Sequence, residues 1–347
     1  MEEGKLPFRS LEKLLDYHYA EKIEGVLQGP KVGVDVAVLD YSLASQRAQE
    51  FYQSSEEVLL VVKTDPITFP TANPGKSVVI INANDIVTSG ALPFGFNITM
   101  VFPPGFSEAE VFKIQKNVQQ TCSNLGIAVL GGHTEFSQSV VSPVLSGAMI
   151  GFVPRDFYVP RKITVGDVIV CVGFCAKEGM GIIAHEGKKY LQQFFSKSFL
   201  SKLLALGEAL SVVDVALTVN KLIRPGLMHD ATEGGILGAI YETIVPEGFG
   251  LRLSSEQFPL TKEAHELASF LKIDPLRLIS SGTLVVVTSK EKAGILTEKV
   301  AKTLPIAVVG EVTKKSEGAL IDGKPLAPPQ ADILITALQK ITEGRKD

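Results

Sequence analysis

The chain has no tryptophan, five histidines and only three cysteines among 347 residues, and these scarcities remove several classes of protein. Cys122, Cys171 and Cys175 are odd in number with no ligand-like histidine nearby, so neither a disulfide framework nor a zinc site is expected. Cys171 and Cys175 are four residues apart, which is not the CxxC spacing of a redox pair, and the thiols read as buried structural residues. No segment holds 18 uncharged apolar residues, and Met1-Glu-Glu-Gly-Lys-Leu-Pro-Phe8 has no apolar run behind a basic start. No membrane partner and a cytoplasmic location are therefore expected. A basic stripe is missing too: 34 Lys and Arg are mixed with 38 Asp and Glu for a net charge of −4, so nucleic acid is not an expected partner. Neither a GxxxxGK[ST] loop nor a strand-linked GxGxxG occurs, which disfavours the common nucleotide folds.

What is present is enough apolar material for two cores, at 45% hydrophobic residues. We expect domains at 1–155 and 156–347, because Pro154 to Gly166 carries two prolines and three basic residues just before a strand at Val168 to Val172. Glu57 to Thr64 reads as a buried strand ending in a turn at Asp65-Pro66. After the proline-rich turn around Pro70 and Pro74, Ser77 to Thr88 is expected to be helical, placing Asn84 and Asp85 on one turn, with Gly90 and Pro93 ending it. Ser107 and Glu110 form a capping box ahead of Val111, Ile114, Val118, Cys122 and Leu125 at helical spacing. A strand ending at Gly131-Gly132 and another over Val140 to Val153 follow. Later helices are expected near Gly179 to His185, Phe199 to Val213, Thr232 to Val245, Thr261 to Leu271 and Lys290 to Lys302. Strands are expected at Thr283 to Thr288 and Ile306 to Val312. Strands and helices mixed in both halves indicate two α+β or α/β domains.

Four aspartates sit in settings that suit magnesium, which takes hard oxygen ligands and is commonly held by one or two carboxylates plus substrate phosphates. They are Asp35 in Gly33-Val-Asp-Val-Ala-Val38, Asp65 in Lys63-Thr-Asp-Pro66, Asp85 in Asn82-Ala-Asn-Asp-Ile86, and Asp230 in Met228-His-Asp-Ala-Thr-Glu-Gly-Gly235. Asp and Asn are also frequent turn and cap residues, so each is ambiguous alone. Two glycine pairs, Gly131-Gly132 and Gly234-Gly235, could let backbone N–H groups approach phosphate, the second pair opening a helix.

Taken in order, GVDVAV, KTD, NANDIVTSGALP, GGHTE, GDVIVCVG, EGMGIIAHE and HDATEGGILGAIYE resemble the AIR synthase superfamily from about residue 30 to about residue 315. GGHTE, the EG-x-GIIA pattern and the Asp-x-Thr-x-Gly-Gly segment resemble most the branch of the hydrogenase maturation factor HypE. The resemblance implies a PurM-like fold of two α+β domains, whose N-terminal sheet pairs in a homodimer with ATP in a cleft near that interface. It implies an ATP-dependent enzyme that phosphorylates an amide, thioamide or similar oxygen of a small molecule or protein-thiol substrate. Asp35, Asp65, Asp85 and Asp230 would hold Mg2+; Asp85, Glu135 and Asp230 would be catalytic. Asn84, Gly131, Gly132, Thr134, Thr232, Gly234 and Gly235 would contact ATP, with His133 and His229 as oriented polar neighbours.

The sequence also departs from the family pattern. One carboxylate of the family's paired aspartates is replaced, leaving Val34-Asp35-Val36-Ala37. The chain ends Thr342-Glu-Gly-Arg-Lys-Asp347 where HypE is expected to end in a cysteine, so dehydration on its own tail is not expected. Selenophosphate synthesis is disfavoured by the absence of an N-terminal cysteine. Pro-Ile-Thr-Phe-Pro after Asp65 does not match the loops of thiamine-monophosphate kinase or of AIR synthase. A catalytically silent nucleotide sensor or assembly partner, and a small-molecule kinase of the thiamine-phosphate type, are the alternatives.

Overall fold

A computed structural model describes residues 3–15, 22–67 and 71–344. Pro70 and the last three residues, on which parts of the sequence reading fall, lie outside the described residues. The chain divides into two compact units, Met1–Tyr158 and Val159–Asp347, and each is described by itself.

The first unit contains strands β1 (Gly4–Lys5), β2 (Val26–Gln28), β3 (Val38–Leu39), β4 (Val58–Ile67), β5 (Leu92–Phe102), β6 (Ala128–Phe136) and β7 (Val144–Pro154), with helices α1 (Phe8–Leu15), α2 (Tyr41–Tyr52), α3 (Pro74–Thr88) and α4 (Glu108–Leu125). Its main sheet has the order β1-β6-β5-β7-β4. β4 pairs antiparallel with β7 over ten residues, from Val58↔Pro154 to Ile67↔Leu145. β5 and β6 run parallel, a pairing that needs a long crossover, supplied by α4. The capping box of Ser107 and Glu110 opens α4, and Gly126 closes it in the left-handed conformation (φ 65°).

Three expectations change here. β4 does not stop at a turn before Asp65: it continues through Asp65-Pro66-Ile67. As an edge strand it tolerates Pro66, which lacks a donor. The helix carrying Asp85 starts earlier than expected, because Asn73 caps it by accepting from the Lys76 N–H and Pro74 occupies its first turn. Gly131-Gly132 does not end a strand either, since β6 runs on to Phe136 past a register irregularity opposite Phe96/Asn97.

The second unit contains β8 (Val168–Val172), β9 (Leu227–Ala231), β10 (Phe249–Leu253), β11 (Thr283–Thr288), β12 (Ile306–Lys314), β13 (Ala319–Ile321) and β14 (Lys324–Pro325). Its helices are α5 (Lys177–Glu186), α6 (Lys188–Leu191), α7 (Lys197–Glu208), α8 (Val213–Ile223), α9 (Gly235–Ile244), α10 (Lys262–Leu271), α11 (Lys290–Val300) and α12 (Leu334–Gly344). The sheet order is β14-β13-β10-β12-β8-β11-β9. Central strands β8 and β11 are apolar runs buried along their whole length, as strands covered on both faces must be. Two helix expectations are corrected. The apolar stretch beyond Phe199 breaks after Glu208 and resumes as α8. The segment from Thr232 begins as a turn after β9, and α9 starts only at Gly235 because Gly234 and Gly235 take positive φ of 77° and 68°. Among the described residues, no single helix is long and apolar enough to cross a membrane.

Helices α5 and α7 meet at Gly181 and Gly207, where a Cβ added to either would lie 2.6 Å from the other's Cα. That contact is closer than any real Cβ allows, so both positions require glycine. Gly181→Ala is expected to destabilise the chain by about 1–3 kcal/mol through overpacking, read as a lower denaturation midpoint with little change in the circular-dichroism spectrum of the folded state.

Candidate functional site

Lys63 and Asp65 are two apart on β4, and a strand's period of two puts them on the same face. That face is covered by α3, which carries Asp85. The Lys63 Nζ lies 3.0 Å from Asp85 Oδ2 and 4.0 Å from Asp65 Oδ2, so two carboxylates from different elements converge on one cationic nitrogen. Asn82, one helical turn before Asp85, is fully buried and donates from Nδ2 to the Asp65 carbonyl at 3.1 Å and to the Val78 carbonyl at 2.8 Å. Its amide ties the helix to the strand beside the carboxylates. Burial raises the Asp65 pKa above its ordinary value; Lys63 opposes that rise and the charge of Asp85 adds to it. Asn84, in the same helix, is fully buried.

The donor set fits a magnesium ion in kind, since hard oxygens from one or two carboxylates are its usual protein ligands, and the ammonium shows that both aspartates can face one cation. Among the described residues no three His, Cys, Asp or Glu side chains form a ready-made metal centre. Asp65 and Asp85 by themselves would supply only part of such an ion's shell.

The other first-unit residues gather elsewhere. A cleft of about 580 Å³ is lined by Asp35, Asn97, Gln115, Gly131, His133 and Thr134, among others, but not by Asp65 or Asp85. β6 and β4 are three strand steps apart in the sheet, roughly 14 Å at the usual spacing. Asp35 is exposed in the loop preceding β3. His133 Nε2 lies 3.1 Å from Glu135 Oε2, both partly exposed. The glycines of this motif have a packing reason: a Cβ on Gly132 would lie 2.0 Å from the Ile98 carbonyl oxygen, and one on Gly131 would lie 3.1 Å from Asn97 Oδ1.

In the second unit, Asp230 is fully buried on β9 opposite Leu284 of β11, and His229 is partly buried beside it. In the turn Thr232 to Gly235 both glycine amides are already engaged. The Gly235 N–H donates to the Thr232 carbonyl at 3.1 Å, and the Gly234 N–H donates to Asp332 Oδ2 at 2.8 Å. Asp332 also accepts from the Leu334 N–H at 2.8 Å, so a carboxylate of the chain itself sits on the glycine turn read as a phosphate contact. Burial pushes the Asp332 pKa up, opposed by these hydrogen bonds. Burial also raises that of Glu178, partly offset by Ser281 and reinforced by the charges of Asp332 and Glu233.

Sequence reasoning missed Lys63, Asn82, Gln115 and Asp332. The first was legible in principle from the two-residue spacing to Asp65. Replacing Lys63 tests the charge balance. Because the Asp65 pKa is raised in the folded state, the stability it contributes is present below the unfolded value of 3.8 and is lost as pH climbs through the folded value. Lys63→Met removes the opposing cation, so its thermal midpoint should fall further below that of the unchanged protein as pH rises from about 4 to about 8. Added Mg2+ should narrow the gap; a gap independent of pH would separate Lys63 from the carboxylates.

Comparison with known proteins extends these findings. The AIR synthase related protein N-terminal domain matches residues 35–153, and the AIR synthase related protein C-terminal domain matches residues 164–323. The chain is 26% identical over 263 residues to a hydrogenase expression/formation protein of Methanocaldococcus jannaschii, covering 74% of this chain and 75% of that one. It is 26% identical over 266 residues to the carbamoyl dehydratase HypE of Escherichia coli, covering 72% and 74%. The crystal structure of E. coli HypE superimposes with a TM-score of 0.73 at 19% identity, over 95% of this chain and 98% of that one. A HypE crystallised in complex with ATP superimposes with a TM-score of 0.67 at 17% identity, over 86% and 88%. Both units thus carry the PurM-like fold, and the chain belongs to the AIR synthase-related protein family, in which it resembles HypE.

Proposed function

We propose that the protein is an ATP-dependent enzyme that phosphorylates an amide, thioamide or similar oxygen of a small molecule or a protein thiol derivative. The observation that carries this reading is the convergence of Asp65 and Asp85 on a single cationic nitrogen. The relatives named carbamoyl dehydratase and the HypE solved with ATP support it. In this reading Asp65 and Asp85 hold Mg2+. Magnesium would offset negative charge on the transferring phosphoryl group. Asn84, Thr134 and the glycines of β6 would position ATP, and Glu135 would act beside the reacting groups. An amide oxygen leaves poorly and a phosphorylated oxygen leaves readily, which is why a carbonyl-type acceptor suits this chemistry.

The chain's own residues have defined tasks in that scheme. Lys63 offsets the charge of the carboxylate pair, a task that Mg2+ would take over when bound. Asn82 holds α3 against β4 so that the two aspartates keep their spacing. Leu60 and Val62 are 52% and 66% exposed on the face of β4 that points away from α3. They motivate a homodimer packed through that face.

Titration calorimetry with Mg-ATP tests the reading. Asp65→Asn and Asp85→Asn should each weaken binding by about tenfold or more, and the affinity should collapse when Mg2+ is withheld. Unchanged affinity in both variants would remove the assigned site. Binding without phosphate release, across a panel of amide and carbamoyl compounds, would instead favour a silent nucleotide sensor.

A further inference from the structure

Cys171 lies in β8 and Cys175 four residues on, just before α5. Between them Gly173 takes a φ of +94°, and Ala176, at +61°, then starts the helix. The reversal brings the two sulfurs to 3.6 Å. Both cysteines are fully buried and share an apolar core with Ile169, Leu227, Ile236 and Val285. All three cysteines of the chain are free thiols, but only these two meet. The four-residue spacing, which in an extended chain would keep them well apart, becomes a contact because the backbone turns back on itself.

A sulfur–sulfur bond is about 2.05 Å long, so side-chain rotation has to close a gap of about 1.5 Å. We propose that Cys171 and Cys175 form a redox-active pair which a peroxide converts to an intramolecular disulfide. In the balanced step, one thiolate attacks a peroxide oxygen and breaks the O–O bond, giving a sulfenic acid and, after protonation, one water. The second sulfur then attacks the sulfenic sulfur and expels its oxygen as another water. Two thiols and one hydrogen peroxide become one disulfide and two waters, each sulfur losing one electron and the peroxide gaining two.

Burial holds the Cys175 thiol far from ionising, and Cys171 beside it reinforces that. The pair therefore reacts only when the turn at residues 173–176 opens, which makes it slow and selective. Lys177, largely buried and electrostatically coupled to Cys175, is the nearby proton acceptor: burial brings its pKa down to about 8, so a neutral amine is accessible. The disulfide would tie the end of β8 to the entrance of α5, where Lys177 and Glu178 sit. This inference does not depend on the nucleotide-site reading.

The test uses the full chain treated with hydrogen peroxide in native buffer, then denatured, alkylated and mapped by mass spectrometry. Cys122, on α4 of the other unit, is the internal control. The expected result is loss of two of the three thiols, both within one peptide that is two hydrogens lighter and regains alkylation after reduction. Cys171→Ser and Cys175→Ser should each abolish that product. Three alkylated thiols after oxidation, equal loss at Cys122, or covalent dimers would overturn the proposal. Mapping of the unsubstituted chain decides the matter even if the variants do not fold.

Discussion

Two partly buried carboxylates on facing elements repel each other, and a cation between them is the condition for their staying close. Lys63 meets that condition for Asp65 and Asp85, and much of the first unit is arranged around it. The ten-residue ladder of β4 with β7 holds the strand's register, so a slip by one residue would turn both Lys63 and Asp65 away from α3. The Asn73 cap and Pro74 set where α3 begins and hence which helical face carries Asp85. The Asn82 amide, bonded to the Asp65 carbonyl, fixes the distance between the two elements. Charge balance and packing are here one problem: moving either element would expose or isolate a charge.

The same constraint bears on how firmly the lysine is held. The Lys63 ammonium bridges the two aspartates through ion pairs that are each partly open to solvent. Such pairs are individually weak. Glycine works differently from what phosphate chemistry suggests. Gly132 is needed because a carbonyl of β5 lies against it, and the Gly234 amide is satisfied by Asp332. Both positions give the backbone close approach, in one case to a neighbouring strand and in the other to a carboxylate.

The second unit concentrates its unusual groups at the entrances of α5 and α9. Lys177 and Glu178 open the first, Asp332 caps the turn before the second, and the two sulfurs lie immediately upstream of α5. Burial shifts these groups toward their neutral forms. Helix entrances are where the chain leaves regular structure and where its hydrogen-bond demand is highest, so polar side chains kept inside the protein collect there.

The sequence alone determined the superfamily, the mixed helix-and-sheet character of both halves, the α4 capping box and the candidate aspartates. Each is local, carried by order along the chain, by hydrophobic period or by a cap within four residues. Tertiary structure decided which of those residues meet. Asp65 and Asp85 are 20 positions apart in the sequence but share one cation because α3 folds back on β4, whereas Asp35 lines a cleft that excludes both. Cys171 and Cys175, dismissed on spacing, touch because Gly173 reverses the chain. Asp332 reaches the glycine turn from 98 residues away. Contacts of that kind depend on sheet order and helix packing, which set distances that no local pattern encodes. Asp65 and Asp85 were thus legible as two residues, and only the fold made them a pair with a lysine in its middle.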